Sequence, residues 1–127
     1  MLTDVETFSS YATNDLEAAK VFYRDILGLN VTEDREGLLS LHFAGNRNGL
    51  IYYKADFMPA TFTVFNFLVP DIDEAVDWMT EQGVVFERYE GFPMDEKGIH
   101  RQENVAWFKD PAGNILAVMI DPMKSGS

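Results

Sequence analysis

The sequence contains no cysteine and only two histidines, which limits the chemistry open to the chain. The lack of cysteine excludes disulfide bonds, thiolate nucleophiles and cysteine-ligated metal sites. No run of about 18 apolar residues occurs, so we expect no transmembrane helix. The start, MLTDVETFSS, lacks a basic segment followed by an apolar one, so we expect no secretory signal. These absences predict a cytoplasmic protein.

Basic residues are also scarce. Ten lysines and arginines stand against 21 acidic residues, which gives a formal net charge of −11. An acidic surface repels phosphate backbones, so we expect no nucleic-acid partner. The charge is explained most simply by solubility, and attraction of a cationic ligand is the second interpretation.

The chain contains two similar halves. The segments NDLEAAKVFYRDILGL and PDIDEAVDWMTEQGV align when Asp15 is matched with Asp71, an offset of 56 positions (71 − 15). Apolar residues at helical spacing predict a helix in each segment. Asn14 and Asp71 each stand three residues before a glutamate, the spacing of a capping box, and are the predicted N-caps. Gly28 and Gly83 are the predicted helix ends.

One strand-like run precedes each predicted helix and three follow it. In the first half the runs are VETFSSYAT, LNVTED, GLLSLHFAG and GLIYYKA, and in the second they are TFTVFNFLV, VVFERYE, NVAWFKD and NILAVMI. Turns at GNRNG and KDPAGN separate the last two runs of each half, and we match Gly49 with Gly113 across them. The pattern predicts a single α+β domain, 1–127, made of two βαβββ modules at 1–58 and 59–127. Both faces of several strands are apolar, so we expect the sheet to curl around a cleft or to pack on a partner.

The motifs FYRDILGL and FKDPAGNIL, together with the repeated helix start, resemble the vicinal oxygen chelate superfamily of glyoxalases, bleomycin-resistance proteins and extradiol dioxygenases. The resemblance extends over almost the whole chain. It implies paired βαβββ modules that form a curled mixed sheet around a cleft, and it implies a homodimer.

In the metal-dependent members of that superfamily, four inward-facing His, Gln or Glu side chains hold a divalent ion. The resemblance maps these positions onto Phe8, Val64, Ala117 and Tyr52, with Tyr53 as a less favoured alternative to Tyr52. Phenylalanine, valine and alanine offer no electron pair, and a neutral phenol with a pKa of about 10 is a weak ligand. We therefore predict no metal and no other cofactor.

Without a metal, the cleft is predicted to offer aromatic surface for stacking and polar groups for orientation. The aromatic candidates are Phe8, Tyr52 and Trp107, the polar candidates are Ser10, His42 and Asn66, and Arg101 is placed at the mouth of the cleft.

The two histidines allow more than one interpretation. Matching Phe43 with Phe108 makes His42 the counterpart of Trp107. His42 is then either a hydrogen-bonded residue of the sheet face or a ligand-contacting, acid–base group. His100 is expected to be a solvated loop residue. A metal site formed by both histidines and a carboxylate stays open as a further alternative.

The first functional hypothesis is a metal-independent protein that binds, and sequesters, a cationic or aromatic small molecule. The alternative is a glyoxalase- or dioxygenase-type enzyme with a metal site of unrecognised composition. Two more hypotheses are a metal-free isomerase or lyase with His42 or Tyr52 as base, and a scaffold that acts only through protein contacts.

Overall fold

The computed structural model describes residues 1–121, apart from the side chains of Asp34, Asn46 and Arg47. The chain divides into two compact units, Met1–Met58 and Pro59–Ser127. Their described residues form two mixed, open sheets of four and three strands and two α-helices, which confirms the predicted α+β class. Within the described range, no helix has the length and apolar character needed to cross a membrane.

The first unit follows the predicted order of elements. β1 (Ser9–Thr13) leads to α1 (Leu16–Lys20), and β2 (Asn30–Arg35), β3 (Leu38–Phe43) and β4 (Arg47–Tyr53) follow. The strands lie in the order β1-β4-β3-β2. The β1–β4 pair is parallel, and the other two pairs are antiparallel. The first and last strands of the module are therefore neighbours.

The start of α1 differs by one residue from the sequence prediction. Asp15, not Asn14, is the N-cap, and its Oδ1 accepts a hydrogen bond of 3.0 Å from the N–H of Ala18. The Thr13 hydroxyl oxygen accepts a second bond, of 3.2 Å, from the Asp15 N–H. Asp15 is thus held in an extended conformation, which is the usual backbone of an N-cap residue.

Beyond Lys20 the helix widens into a π-helical turn, Val21–Ile26. The Leu27 N–H donates to the Phe22 carbonyl oxygen at 2.9 Å, five residues back along the chain. Both Phe22 and Tyr23 are buried. Gly28, with φ of 74°, follows the turn, where a left-handed residue is expected.

One side of the first sheet packs under this helix. The Tyr11 hydroxyl donates to the Tyr23 hydroxyl at 2.9 Å, and Leu39, Leu41 and Ile51 lie beside Tyr11 with no exposed surface. We call this side the helix face. The other side, which we call the opposite face, carries Ser10, Ser40, His42, Leu50 and Tyr52.

In the second unit, residues 59–121 form three strands and one helix. β5 (Thr63–Leu68) leads to α2 (Ile72–Glu81), and β6 (Val105–Lys109) and β7 (Ile115–Met119) complete the sheet. The order is β5-β7-β6, with β5 and β7 parallel and β6 and β7 antiparallel. The first and last strands are again neighbours.

The predicted strand VVFERYE is absent from this sheet. Phe86 forms a single bridge to β6, and the Glu87 N–H donates one further hydrogen bond of 2.7 Å to the same strand. The N–H of Val84 is used to close α2, and Gly91 adopts φ of 85°, which ends the extended run. Residues 84–104, which we call the linking segment, therefore join α2 to β6 with isolated bridges only.

Both ends of α2 are set by its own sequence. The Asp71 carboxylate accepts a backbone N–H of the first turn at 3.1 Å, so its predicted role as N-cap is confirmed. At the other end the Gly83 N–H donates to Thr80 and the Val84 N–H to Met79, each at 3.0 Å. This pair of bonds is a Schellman motif, which needs a left-handed residue such as Gly83, with φ of 96°.

The two sides of the second sheet differ in composition. Phe67 and Phe108 stack on one side with ring centroids 6.5 Å apart, and Phe86 meets Phe108 edge-on at 5.9 Å. The other side carries Asn66 and Trp107 on either side of Ala117, and we call it the tryptophan face.

Candidate functional site

Each sheet has a central row of three paired residues on the side that carries the sequence-predicted site residues. The rows are Ser10–Leu50–Ser40 in the first sheet and Asn66–Ala117–Trp107 in the second. Ser10 and Asn66 are 56 positions apart (66 − 10), the same separation as the N-caps Asp15 and Asp71. The two rows therefore occupy equivalent positions in the two modules.

This register corrects two correspondences drawn from the sequence. Leu50, rather than Tyr52 or Tyr53, is the first-module counterpart of Ala117. Ser40, rather than His42, is the counterpart of Trp107.

The His42 error came from matching Phe43 with Phe108, which lies two positions off the observed register. The error at Tyr52 and Tyr53 came from matching two glycines with different roles. Gly113 is a turn residue with φ of 92°, whereas Gly49 is a buried residue of β4. A Cβ on Gly49 would lie 3.2 Å from the Phe43 ring, so this glycine allows close packing on the helix face. The left-handed glycine of the first hairpin is Gly45, with φ of 76°.

The turn between β6 and β7 fixes the tryptophan row. Asp110 Oδ1 accepts the N–H groups of Ala112 and Asn114 at 3.0 and 2.9 Å, and its Oδ2 accepts the Asn114 side-chain amide at 3.0 Å. Asp110 and Asn114 are buried. The sequence DPAGN thus folds on itself and sets which residue of β6 lies opposite Ala117.

The residues at the superfamily's metal-ligand positions do not fit a divalent ion. With the corrected register they are Phe8, Leu50, Val64 and Ala117, and all four side chains are hydrocarbon. Ala117 has no exposed surface. Elsewhere in residues 1–121, the described side chains form no group of three or more His, Asp or Glu suited to a metal.

His42 takes part in a hydrogen-bonded network on the opposite face of the first sheet. Its Nε2 lies 2.8 Å from Thr32 Oγ1, and its Nδ1 lies 3.2 Å from Asn48 Oδ1. With the amide oxygen facing Nδ1, the neutral ring carries its proton there and accepts at Nε2 from the Thr32 hydroxyl. Both ring nitrogens are thus engaged across three strands.

A concavity of about 740 Å³ lies on the first unit near this network. Phe8 stands at its edge with 62% of its surface exposed. Ser10 and Tyr52 lie on the same side of the sheet and are also exposed. The residues that line the concavity are Val5, Glu6, Thr7, Phe8, Ser40, Gly45, Asn48 and Leu50.

The second unit carries a cluster of aromatic rings that sequence reasoning missed. The Trp107 ring is 5.7 Å from Tyr89, 5.5 Å from Phe92 and 6.2 Å from His100, measured between centroids. Phe92 also meets His100 edge-on at 5.4 Å. We call these four residues the aromatic cluster. Three of them come from the linking segment, which the sequence analysis had assigned partly to a strand and partly to a solvated loop.

His100 is not the solvated loop residue that was expected, since only 4% of its surface is exposed. Its Nδ1 lies 2.8 Å from the Pro93 carbonyl oxygen, to which it donates its proton. Its backbone N–H donates to the Val105 carbonyl oxygen at 2.8 Å. These two bonds hold the ring against Trp107.

Tyr89 has an unusual hydroxyl group. Its oxygen is buried, and no hydrogen-bond partner for it exists among the described residues. Burial raises the pKa of this phenol, and the nearby Glu87 carboxylate raises it further. The hydroxyl therefore stays protonated at neutral pH and is available as a donor.

Arg101 braces the linking segment against the first turn of α2. Its guanidinium makes two bonds with the Asp73 carboxylate, at 2.7 and 2.9 Å, and one of 2.8 Å with Asp95. Lys97 bonds Asp73 as well, at 3.1 Å. The hydrogen bonds from Arg101 and Lys97 hold the pKa of Asp73 well below its usual value. The structure thus gives Arg101 a bracing role next to the aromatic cluster.

The chain belongs to the Glyoxalase/Bleomycin resistance protein/Dioxygenase superfamily, whose family model matches residues 7–118. No curated protein matches the sequence. The similarity to solved structures is extensive in length and low in identity, so these structures show the fold alone.

Three of these structures illustrate the range of the superfamily. Lactoylglutathione lyase from Agrobacterium tumefaciens is 23% identical with a TM-score of 0.67, and the match covers 95% of this chain and 96% of that one. A glyoxalase family protein from Enterococcus faecalis is 20% identical with a TM-score of 0.66, and the match covers 94% of this chain and 99% of that one. TnmS3, an antibiotic binding protein from Streptomyces sp. CB03234, is 19% identical with a TM-score of 0.65, and the match covers 92% of this chain and 97% of that one.

Proposed function

We propose that this protein binds a small organic molecule without the help of a metal ion, and that its role is to sequester a cationic or aromatic ligand. The observation that carries the proposal is the tryptophan row, where a buried methyl group and an indole stand at the positions equivalent to a metal ligand and its neighbour. Neither group offers an electron pair to an ion, whereas the half-buried indole offers surface to an organic molecule. The fold shared with the antibiotic binding protein TnmS3 supports the same class of activity.

The proposed contacts belong to two sheets, one in each unit. Ser10, His42 and Tyr52 belong to the opposite face of the first sheet, and Phe8 lines the concavity there. Asn66 and Trp107 belong to the tryptophan face of the second sheet. Exposed aromatic rings stack on planar ligands or hold cations, at about 0.5–2 kcal/mol for each cation–π contact. Arg101 contributes by holding the linking segment in place.

Binding is tested with a panel of aromatic probes, from the cation ethidium to the neutral 9-fluorenone, in the presence of EDTA. We expect at least one probe to raise the melting temperature and to give a saturable isotherm by calorimetry. Trp107→Ala should weaken that binding about tenfold, because stacking on an indole is lost. Trp78→Ala is the matched control, since Trp78 is 45% exposed on α2 and belongs to neither site.

Two results would contradict the proposal. The first is a panel that produces neither a thermal shift nor heat. The second is stoichiometric nickel, zinc, iron or manganese in protein purified without chelator and lost on His42→Ala, which would favour the metalloenzyme alternative instead.

The proposal includes a homodimeric, cytoplasmic protein whose two modules work as one domain. The superfamily resemblance supports the dimer, and so do several large apolar side chains left exposed on the first eight residues. These are Met1, Leu2, Val5 and Phe8.

A further inference from the structure

The hydroxyl of Tyr89 is the one buried side-chain oxygen or nitrogen without a hydrogen-bond partner in the part of the chain that the structure describes. Leaving such a group unpaired costs about 1–3 kcal/mol, so native proteins usually provide a partner from the chain, water or a ligand. Phenylalanine would fill nearly the same space without this cost. The presence of the hydroxyl therefore indicates a partner other than the residues that the structure describes.

The surroundings of Tyr89 indicate the chemistry of that partner. The ring packs edge-on against Trp107, inside the aromatic cluster. The two charged groups that act on its hydroxyl, Glu87 and Lys109, are themselves paired at 3.3 Å. Opposite charges this close largely cancel, so this pair leaves little net charge beside the Tyr89 hydroxyl.

We propose that the aromatic cluster takes a neutral, planar aromatic ligand that carries a carbonyl oxygen, and that Tyr89 donates its hydroxyl hydrogen bond to this oxygen. The inference rests on the proposed function and narrows its ligand class from cationic or aromatic to neutral aromatic. Trp107 and Phe92 supply the stacking surface, and Phe92 is 48% exposed.

A ligand can reach the buried hydroxyl only if the linking segment shifts. Residues 84–104 contribute isolated bridges rather than a ladder of hydrogen bonds to the sheet, so a local shift near Tyr89 breaks few sheet bonds. The ion pairs of Arg101 and Lys97 with Asp73 still hold the rest of the segment. Gly91, with φ of 85°, lies between Tyr89 and Phe92, and a Cβ there would meet nothing within 4 Å. The two rings are thus joined by a turn whose glycine has open space beside it.

The test compares 9-fluorenone with fluorene, which share one planar shape and differ in the carbonyl oxygen. We expect the wild-type protein to bind fluorenone about tenfold more tightly than fluorene by equilibrium dialysis. Tyr89→Phe should bring this ratio close to one without lowering the urea midpoint. Tyr53→Phe is the matched control, since Tyr53 is an exposed tyrosine of the first unit, and it should keep the ratio.

The possible failures are distinguishable. Equal binding of both probes, or a preference for fluorenone that survives Tyr89→Phe, overturns the role of Tyr89 and leaves the proposed function standing. A lower urea midpoint in Tyr89→Phe shows that the hydroxyl already has a partner in the free protein, and it overturns the inference as well. If no probe of the whole panel binds, the proposed function itself is wrong.

Discussion

Ala117 places a methyl group at a position where the metal-dependent members of the superfamily carry a metal ligand. Its methyl group lies between Asn66 and Trp107 in the central row of the second sheet, and it has no exposed surface. A carboxylate in the same place would have to be desolvated, and it would have no ion to offset that cost. The position is therefore packed as part of a core.

We predict that Ala117→Glu lowers the free energy of unfolding by about 3 kcal/mol, because it buries a charge and overfills the row. Urea denaturation with and without 1 mM nickel or zinc measures this, and we expect neither ion to restore the midpoint. Leu68→Glu is the control, since Leu68 is 58% exposed on β5, and it should change stability by less than about 0.5 kcal/mol. Recovery of the Ala117→Glu variant by either ion would show that neighbouring residues can complete a metal site.

At the scale of elements, the linking segment takes the place that a strand has in the first module. It is held to α2 by the ion pairs of Arg101 and Lys97, and to β6 by the bridge at Phe86. Gly98 lies where the segment passes Phe86, and its φ is 93°. A Cβ on Gly98 would stand only 2.9 Å from the Cβ of Phe86.

Two glycine variants separate backbone strain from this close approach. Gly83→Ala at the end of α2 places a Cβ in open space, so we expect it to cost only the strain of a left-handed alanine, about 1 kcal/mol. Gly98→Ala meets the same strain and also displaces Phe86, so we expect about 2–3 kcal/mol. Urea denaturation of both variants gives the comparison. Equal losses would mean that the segment moves away from Phe86 freely.

Local sequence patterns predicted the elements that depend on local interactions. The α2 cap at Asp71, the glycine ends of both helices and the order of elements along the first module follow from short motifs, and the structure confirms them. The strand at 84–90 was wrong because Val84 is used to end α2 and Gly91 interrupts pairing.

The site was harder to predict, because it depends on register and on distant contacts. Gly49 and Gly113 look alike in a sequence, and only the pairing of strands shows that one packs under a helix while the other forms a turn. Trp107 was named as a site residue from its position in the predicted strand NVAWFKD. Tyr89 was missed and His100 was wrongly assigned to a solvated loop, because their places beside Trp107 are set by the path of the linking segment.

At the scale of the whole molecule, a net charge of −11 opposes the association of identical chains. The proposed dimer must therefore gain enough from apolar contact to overcome the repulsion. The exposed apolar side chains of the first eight residues provide part of that surface.

We predict a mass of twice 14.4 kDa by sedimentation equilibrium. Dimerisation should tighten as salt rises from about 20 to about 300 mM, because screening removes like-charge repulsion while apolar contact persists. Phe8→Ser should weaken the dimer, and Met58→Ser, at another exposed apolar side chain, is the control. A monomer at every salt concentration would rule out the dimer, and a dimer that salt dissociates would indicate an interface of ion pairs instead.

The parallel pairing of the first and last strands in each module has a consequence for synthesis on the ribosome. A nascent chain that ends before Arg47 has made Ser9–Thr13 but not the strand with which it pairs. In the second module, Thr63–Leu68 likewise stays unpaired until Ile115–Met119 has been made. During translation the first strand of each module therefore has an unpaired edge until the last strand is made. We expect chaperone contact with the growing polypeptide to peak just before each of these late strands emerges.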